Sequence, residues 1–192
     1  MRIQMLQTLP AAMVSLGALA GCGSADDTGL FEVSAAARET EQAPTKAPTA
    51  VAPADAVIPE PDARLLVTVR EVSVHVDGWH TVFLGAHQLD LLDTSRSPVP
   101  LGTAPVPEGE LAQLRLVLAD NVIYQKSSGP AAVRCPSCSQ SGLKLQLTPD
   151  SRVVAGGRLS VTLQFASNRV LWANPQGYVL SPVVEAEVRS EP

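Results

Sequence analysis

Hydrophobic residues alternate with polar ones over much of the chain after residue 63. The alternation runs through Leu65, Val67 and Val69 and resumes in the opposite phase from Val72 to Val76. A period of two places alternate side chains on one face of a β-strand, whereas a helix repeats every 3.6 residues. No long stretch of this chain has a helical period, so we expect an all-β fold.

The first two strands are predicted to form a hairpin. The phase changes at Arg70-Glu71, which indicates a β-bulge or a strand that changes sheets. Asp77-Gly78 is typical of a tight turn, and 79–84 follow as a return strand.

Further short apolar segments are separated by Gly, Pro, Asn or Asp, and a segment with four prolines (Pro98, Pro100, Pro105, Pro107) is expected to be an irregular connection. About seven to nine short strands in a body of this size favour an antiparallel β-sandwich, immunoglobulin- or transthyretin-like, over residues 63–190. A closed barrel is the alternative. The predicted strands after the hairpin are 89–92, 114–118, 122–126, 143–147, 159–165, 170–172 and 178–188.

The first 21 residues read as a lipoprotein signal peptide. Arg2 precedes an apolar run that is shorter than the ~20 residues needed to cross a bilayer. The run ends in Leu19-Ala20-Gly21-Cys22, which is similar to a bacterial lipobox, in which the cysteine becomes the acylated first residue. Several acyl chains on Cys22 would hold the protein stably in membrane lipid. Gly23-Ser24, rather than Asp, follows Cys22, which resembles sorting to the outer membrane. A cleaved signal with an incidental cysteine is the alternative.

Residues 22–62 are expected to be a lipidated N-terminus followed by a disordered tether. They are rich in Ala and Pro, and Phe31 is the only aromatic residue among them. Residues 23–62 carry a net charge of −6, so the rest of the chain carries almost no net charge. Such a composition buries too little apolar surface to offset its ordering entropy. A short helix over 30–40 is possible in principle but marginal at that length.

The overall charge argues against nucleic-acid binding. The net charge is −5, with 14 basic and 19 acidic side chains and no basic cluster. Contacts with phosphates need clustered Lys and Arg.

Three cysteines divide into one lipid site and one pair. With Cys22 assigned to lipid, Cys135 and Cys138 remain in Cys-Pro-Ser-Cys, and an exported protein favours a disulfide between them. A redox role would place the first cysteine at a helix N-terminus, but a predicted strand follows. A structural zinc site would need about four ligands, and the sequence has no second Cys-x-x-Cys motif and no close pair of histidines.

Three histidines flank or follow the turn of the first predicted hairpin. His75, His80 and His87, with Asp77 or Asp90, could bind a metal if the strands bring them together. Their spacing lacks a close ligand pair, so ordinary surface histidines are the expectation, and no cofactor is predicted.

Two acidic pairs and four aromatic residues are further candidates. Asp90/Asp93 and Glu108/Glu110 could serve as glycosidase-like acids, although solvated carboxylates are the commoner case. Four aromatic residues could form a sugar-stacking platform, but with so few aromatics in the body we expect them to fill the core. They are Trp79, Tyr124, Trp172 and Tyr178.

Several segments together resemble the bacterial lipoprotein domains known as domain of unknown function 4382, over about residues 64–189. The resemblance implies a β-sandwich-like domain on a surface lipoprotein, with no established activity. Relatives often carry acidic residues where this chain has Gln164 and Ala166, and they usually lack Cys135 and Cys138. The matching segments are Val67–Val76, Trp79, Leu89–Asp93, Leu101-Gly102, Val106–Leu116, Pro136-Ser137, Gly142–Leu145 and Tyr178–Val184.

We therefore expect a non-enzymatic β-sandwich module, anchored to the bacterial cell envelope through Cys22, that binds a protein or glycan or serves a structural role. A metal or small-ligand carrier based on the histidine hairpin is the alternative. An enzyme of unrecognised type is a third hypothesis, and it requires a concave pocket in which carboxylates with perturbed pKa values converge.

Overall fold

A computed structural model describes residues 27–39, 55–136, 138–147 and 151–191. Strands make up most of those residues, turns and short loops connect them, and a 3-10 turn at Ser167–Arg169 follows the long strand that ends at Ala166. The strands are β1 (Thr28–Arg38), β2 (Asp55–Ala56), β3 (Arg64–His75), β4 (Trp79–Asp90), β5 (Val99–Pro107), β6 (Gly109–Glu110), β7 (Gln113–Leu118), β8 (Val122–Lys126), β9 (Gly129–Arg134), β10 (Leu143–Gln146), β11 (Arg152–Val153), β12 (Arg158–Ala166), β13 (Leu171–Asn174), β14 (Gly177–Leu180) and β15 (Val184–Glu191).

The strands form two main sheets. One has the order β15-β12-β1-β5, and the other has the order β10-β7-β3-β8-β9-β14-β13-β2, with β4 also paired to β3. A small third sheet joins β11 to β6. The predicted all-β sandwich is confirmed, and the sheets do not close into a barrel. Two pairings, β1 with β12 and β14 with β9, are parallel, so the sandwich is not wholly antiparallel.

The first hairpin forms as predicted. Asp77 adopts a left-handed backbone with φ 52° between β3 and β4. The register shifts between Val69 and Glu71, where the phase of the sequence changes. On the side away from β4, β3 pairs with β8 over residues 64–66 and with β7 from Val69 onward. One long strand therefore has two neighbours on the same side.

The core lies between the two main sheets. Phe31 and Phe165 contribute from the first sheet, and Leu65, Val74 and Leu116 contribute from the second. All five have no measurable exposure. Burying each such side chain contributes about 1.5–3 kcal/mol to folding.

The predicted tether is wrong over residues 28–38, which form β1. This strand lies in the middle of its sheet, parallel to β12 and antiparallel to β5. Phe31, Val33 and Ala35 point into the core, and Glu32 and Ser34 alternate with them on the outer face. The period of two is therefore present, but small alanines and outward polar residues gave the segment the composition of a linker. The signal peptide and Cys22 lie outside the described residues.

The proline-rich segment is also a strand, contrary to expectation. β5 is the edge of its sheet and pairs only with β1. Pro100 lies opposite Ser34, and Pro105 lies opposite Leu30. An edge strand tolerates prolines because one side of its backbone needs no ladder hydrogen bonds.

The predicted strand over 178–188 is two strands in different sheets. Ser181–Val183 separate β14, which pairs with β13 and β9, from β15, which pairs with β12. Pro182 has no N–H to donate, so the ladder breaks there.

Candidate functional site

The three histidines of the first hairpin do not converge. The His75 ring packs edge-on against Trp79, with centroids 5.2 Å apart, and His80 Nε2 lies 3.1 Å from the carbonyl oxygen of Val76. His87 lies near the other end of β4, seven residues from His80 and thus about 23 Å away along the strand. Within the described residues, no three His, Cys, Asp or Glu side chains come close enough to hold a metal ion. The metal-carrier hypothesis thus has no support from this geometry.

A cavity of about 150 Å³ lies where β1 ends. Its walls are Ala35–Ala37 of β1, His87 and Asp90 of β4, the loop segment 91–97, and Phe165 of β12. We call this cavity the cleft. Ala35 and Ala37, on the core side of β1, leave the space open because their side chains end at Cβ. The cleft brings together His87, a candidate metal ligand, with Asp90 and Asp93, the candidate acid pair.

Asp90 holds the rim of the cleft in place. Its Oδ2 accepts a hydrogen bond from Arg64 Nε at 2.8 Å, and its Oδ1 accepts from the backbone N–H groups of Leu65 and Leu92. The Asp90 side chain is only 8% exposed. A carboxylate with three such donors joins the end of β4 to the start of β3, so Asp90 is a positioning residue.

Asp93 presents a charged group at the cleft. Its Oδ2 lies 2.6 Å from Arg96 Nε, and its Oδ1 accepts hydrogen bonds from the hydroxyl and the N–H of Ser95. The hydrogen bond from the Ser95 hydroxyl, aided by the N–H of Ser95 and by Arg96, lowers the pKa of Asp93 below its ordinary value. A general acid for glycoside cleavage needs a raised pKa, so this carboxylate is suited to accepting hydrogen bonds instead.

Trp79 contributes to a second surface cluster at the opposite end of β4. It is 43% exposed, so the expectation that it fills the core is wrong. The Arg115 guanidinium lies 5.0 Å from the centre of the Trp79 ring and 2.6 Å from Glu71 Oε1. A guanidinium within about 6 Å of an aromatic ring is attracted to the ring electrons, so Arg115 stabilises Trp79 at the surface of the sheet.

The other aromatic residues do not join Trp79. Tyr124 is buried and packs against Tyr178 with ring centroids 5.2 Å apart, as expected for the core. Lys126 Nζ lies 5.3 Å from the centre of the Tyr178 ring. Trp172 lies on β13, near the far edge of the same sheet. A single sugar-stacking platform is therefore not formed by these four residues.

The predicted disulfide joins Cys135 and Cys138, whose Cα atoms are 5.5 Å apart. Cys138 is buried, and its carbonyl oxygen accepts a hydrogen bond from the Leu118 N–H at 3.0 Å. The bridge therefore fixes the segment after β9 against the end of β7.

Glu108 and Glu110 lie far from the cleft, near the start of β1. Both are exposed, and Glu110 pairs in register with Arg152. They form no cavity with Asp90 and Asp93. The cleft itself depends on Ala35 and Ala37, which sequence reasoning assigned to the tether.

A family model described as domain of unknown function (DUF4382) matches residues 52–182. That range is well over half of the chain. The chain belongs to the DUF4382 family. Searches of curated proteins and of solved structures found no match. No helix among the described residues is long and apolar enough to cross a membrane.

The DUF4382 match stops short of two strands. β1 precedes it and β15 follows it, yet both belong to the four-stranded sheet. Within the match, Gln164 points outward and donates a hydrogen bond to Glu187, whereas Ala166 is buried. An acidic residue at Gln164 would thus lie on the outer face of the sheet, away from the core.

Proposed function

We propose that the protein is a non-catalytic binding module, anchored to the bacterial cell envelope by acylated Cys22 and presenting the cleft to a glycan. The lipobox-like Leu19–Cys22 and the apolar run before it support the anchor. The outer membrane is the proposed location because Gly23-Ser24, without an Asp, follows the cysteine.

The chemistry of the cleft supports binding rather than catalysis. Asp90 is engaged by three donors, and the low pKa of Asp93 keeps that carboxylate ionised at neutral pH. Neither arrangement supplies the proton that an acid catalyst must donate. The enzyme hypothesis therefore has its concave pocket, but the pKa of the Asp93 carboxyl in that pocket is lowered rather than raised.

The lining of the cleft favours a sugar over an apolar ligand. Asp93 and Arg96 offer an acceptor and a donor side by side, and the half-buried Ala37 offers an apolar surface. A sugar ring combines hydroxyl groups at its edge with apolar C–H faces, and small-ligand sites commonly place a few polar groups around an apolar surface. The single observation that carries the proposal is this Asp93–Arg96 pair beside an open cavity.

Two experiments test the two halves of the proposal. The Cys22→Ser variant should move from the membrane fraction to the soluble fraction, and unchanged fractionation would contradict the anchor. The soluble domain from residue 27 onward should bind members of a glycan array. Ala37→Leu should abolish that binding by filling the cleft, because Ala37 lies on the core side of β1 in register with Phe165. Thr103→Leu, an exposed substitution on β5 of the same sheet, is the matched control. Equal binding by both variants would contradict the cleft as the site.

A further inference from the structure

The start of β1 is fixed among loops at one end of the sandwich. The N–H of Glu108 donates to the carbonyl oxygen of Asp27 at 2.8 Å, and the N–H of Gly156 donates to that of Thr28 at 2.9 Å. A Cβ on Gly29 would collide with the carbonyl oxygen of Val154. Segments 108–112 and 151–157 therefore surround the point where the chain enters the domain.

The turn of the first hairpin lies at the same end. A Cβ on Gly109 would come within 2.7 Å of Val76 Cγ1, so the loop after β5 touches the end of β3. We call the end formed by residues 76–78, 108–112 and 151–157 the proximal end. The cleft lies at the opposite end, because β1 runs from the proximal end to Ala35–Ala37.

The chain between Cys22 and the domain is short. Five Cα–Cα steps separate Cys22 from Asp27, so these two Cα atoms lie at most about 18 Å apart. The eleven residues of β1 span about 33 Å. A lipid on Cys22 can therefore reach the proximal end, but the connection is too short to run back along β1 and place the cleft against the same membrane.

The proximal end exposes apolar side chains that favour an interface. Val154 is 53% exposed, and Trp79 beside the hairpin turn is 43% exposed. Two other large exposed hydrophobics, Ile58 and Leu84, lie elsewhere. Tryptophan side chains are enriched in the headgroup region of a bilayer, and small apolar side chains at a loop tip can insert beside them.

The charges at this end indicate which lipids it suits. Arg152 and Arg158 are exposed around Val154, but the same end carries several exposed acidic residues. With both signs present, anionic headgroups would gain little from the contact, so zwitterionic lipid is the expected surface. The acids are Asp27, Asp77, Glu108, Glu110 and Glu191.

We propose that the proximal end lies on the lipid surface in which acylated Cys22 is embedded, with Val154 and Trp79 at the headgroups and the cleft facing away. This rests on the proposed lipid anchor. In this arrangement β1 runs from the membrane-bound end of the domain to the cleft, so that the membrane orients the binding site.

Tryptophan fluorescence tests this orientation in the acylated full-length protein. The protein is extracted from membranes, checked for acyl mass, and reconstituted into phosphatidylcholine vesicles with brominated chains. Two single-tryptophan variants are compared: Trp172→Phe keeps Trp79, and Trp79→Phe keeps Trp172. Trp172 is the control because the strand register places it level with the start of β3, far along the strands from the hairpin turn at the proximal end. That register runs from Leu66 through Ile123 and Val133 to Tyr178 and Val179, which faces Trp172.

The bromine atoms should quench about half of the Trp79 emission and leave the Trp172 emission nearly unchanged. Val154→Asp should reduce the quenching of Trp79 about twofold, because a carboxylate disfavours contact with lipid. Equal quenching of both tryptophans, or of neither, in protein that carries acyl mass would overturn the orientation alone. Protein without acyl mass would overturn the anchor and the orientation together.

Discussion

Phe31 of β1 lies in parallel register with Leu159 of β12, and neither side chain is more than 1% exposed. The two residues are 128 positions apart in the chain, and Phe31 lies outside the family match. The pairing shows that a strand from before the family match lies in the middle of the four-stranded sheet and contributes to its core. β1 separates β12 from β5, so these strands have no other partner in common.

The family match alone should therefore fail to fold. A fragment of residues 52–182 lacks β1 and β15 and exposes the facing edges of β5 and β12. We expect it to unfold without a cooperative thermal transition and to bind a hydrophobic dye, whereas residues 27–191 should melt cooperatively. A peptide of residues 27–39 added to residues 52–191 should restore the transition. A cooperative, dye-free 52–182 fragment would show that β1 is dispensable.

Removing the Phe31 side chain should be among the most damaging single changes. Phe31→Ala should lower the free energy of unfolding by about 3–5 kcal/mol because it leaves a cavity in a closed core. The neighbouring Ser34 donates or accepts one hydrogen bond with Thr162 at 3.0 Å on the outer face, so Ser34→Ala should lower it by only about 1 kcal/mol. Urea titration of both variants measures the difference. Similar losses would mean that β1 is not packed as described.

Glu71 should contribute stability that depends on pH. The hydrogen bond from Arg115, and a further one from the Ser73 hydroxyl, lower the pKa of Glu71 below its ordinary value. A group with a lowered folded-state pKa stabilises the fold above its unfolded pKa and loses that contribution as pH falls through the folded value. Glu71→Gln should therefore lower the free energy of unfolding by about 1 kcal/mol at neutral pH, a difference that shrinks below about pH 4.

The control for that titration is Glu185→Gln on the exposed edge strand β15. It should shift the unfolding free energy little at any pH, since exposed charges at an edge are well solvated. A constant difference between wild type and Glu71→Gln from neutral pH to about pH 3 would contradict the ion pair with Arg115.

The disulfide should make a modest contribution. Cys135 and Cys138 close a very short loop, for which the chain-entropy relation gives about 2 kcal/mol. The double variant Cys135→Ser/Cys138→Ser should therefore melt a few degrees lower while keeping the spectrum of a β-protein. Complete unfolding would show that the disulfide stabilises more of the domain than its own loop. An unchanged melting temperature would show that it contributes nothing to stability.

The sequence predicts the hairpin of β3 and β4 well because branched apolar residues occupy every second position of β3, apart from the phase change at Arg70-Glu71, and a turn motif follows. It fails at β1 because Ala35 and Ala37 occupy core-side positions with so little apolar bulk that composition outweighs periodicity. The prediction fails at β5 because Pro100 and Pro105 indicate the end of a strand unless that strand is known to lie at the edge of a sheet.

The cleft could not be predicted for the same reason. Its open volume comes from Ala35 and Ala37, two residues assigned to a linker, and its polar pair comes from the loop after β4. Sequence reasoning did single out Asp90 and Asp93 as carboxylates. Their roles, positioning for Asp90 and hydrogen-bond acceptance for Asp93, follow only from the donors that surround them.

The intact mass of the protein extracted from bacterial membranes tests the central claim most directly. The lipid-anchored account predicts a mature chain that begins at Cys22, carries added acyl mass, and gains about 2 Da on reduction of Cys135–Cys138. A chain that begins elsewhere, or that begins at Cys22 without acyl mass, would contradict it.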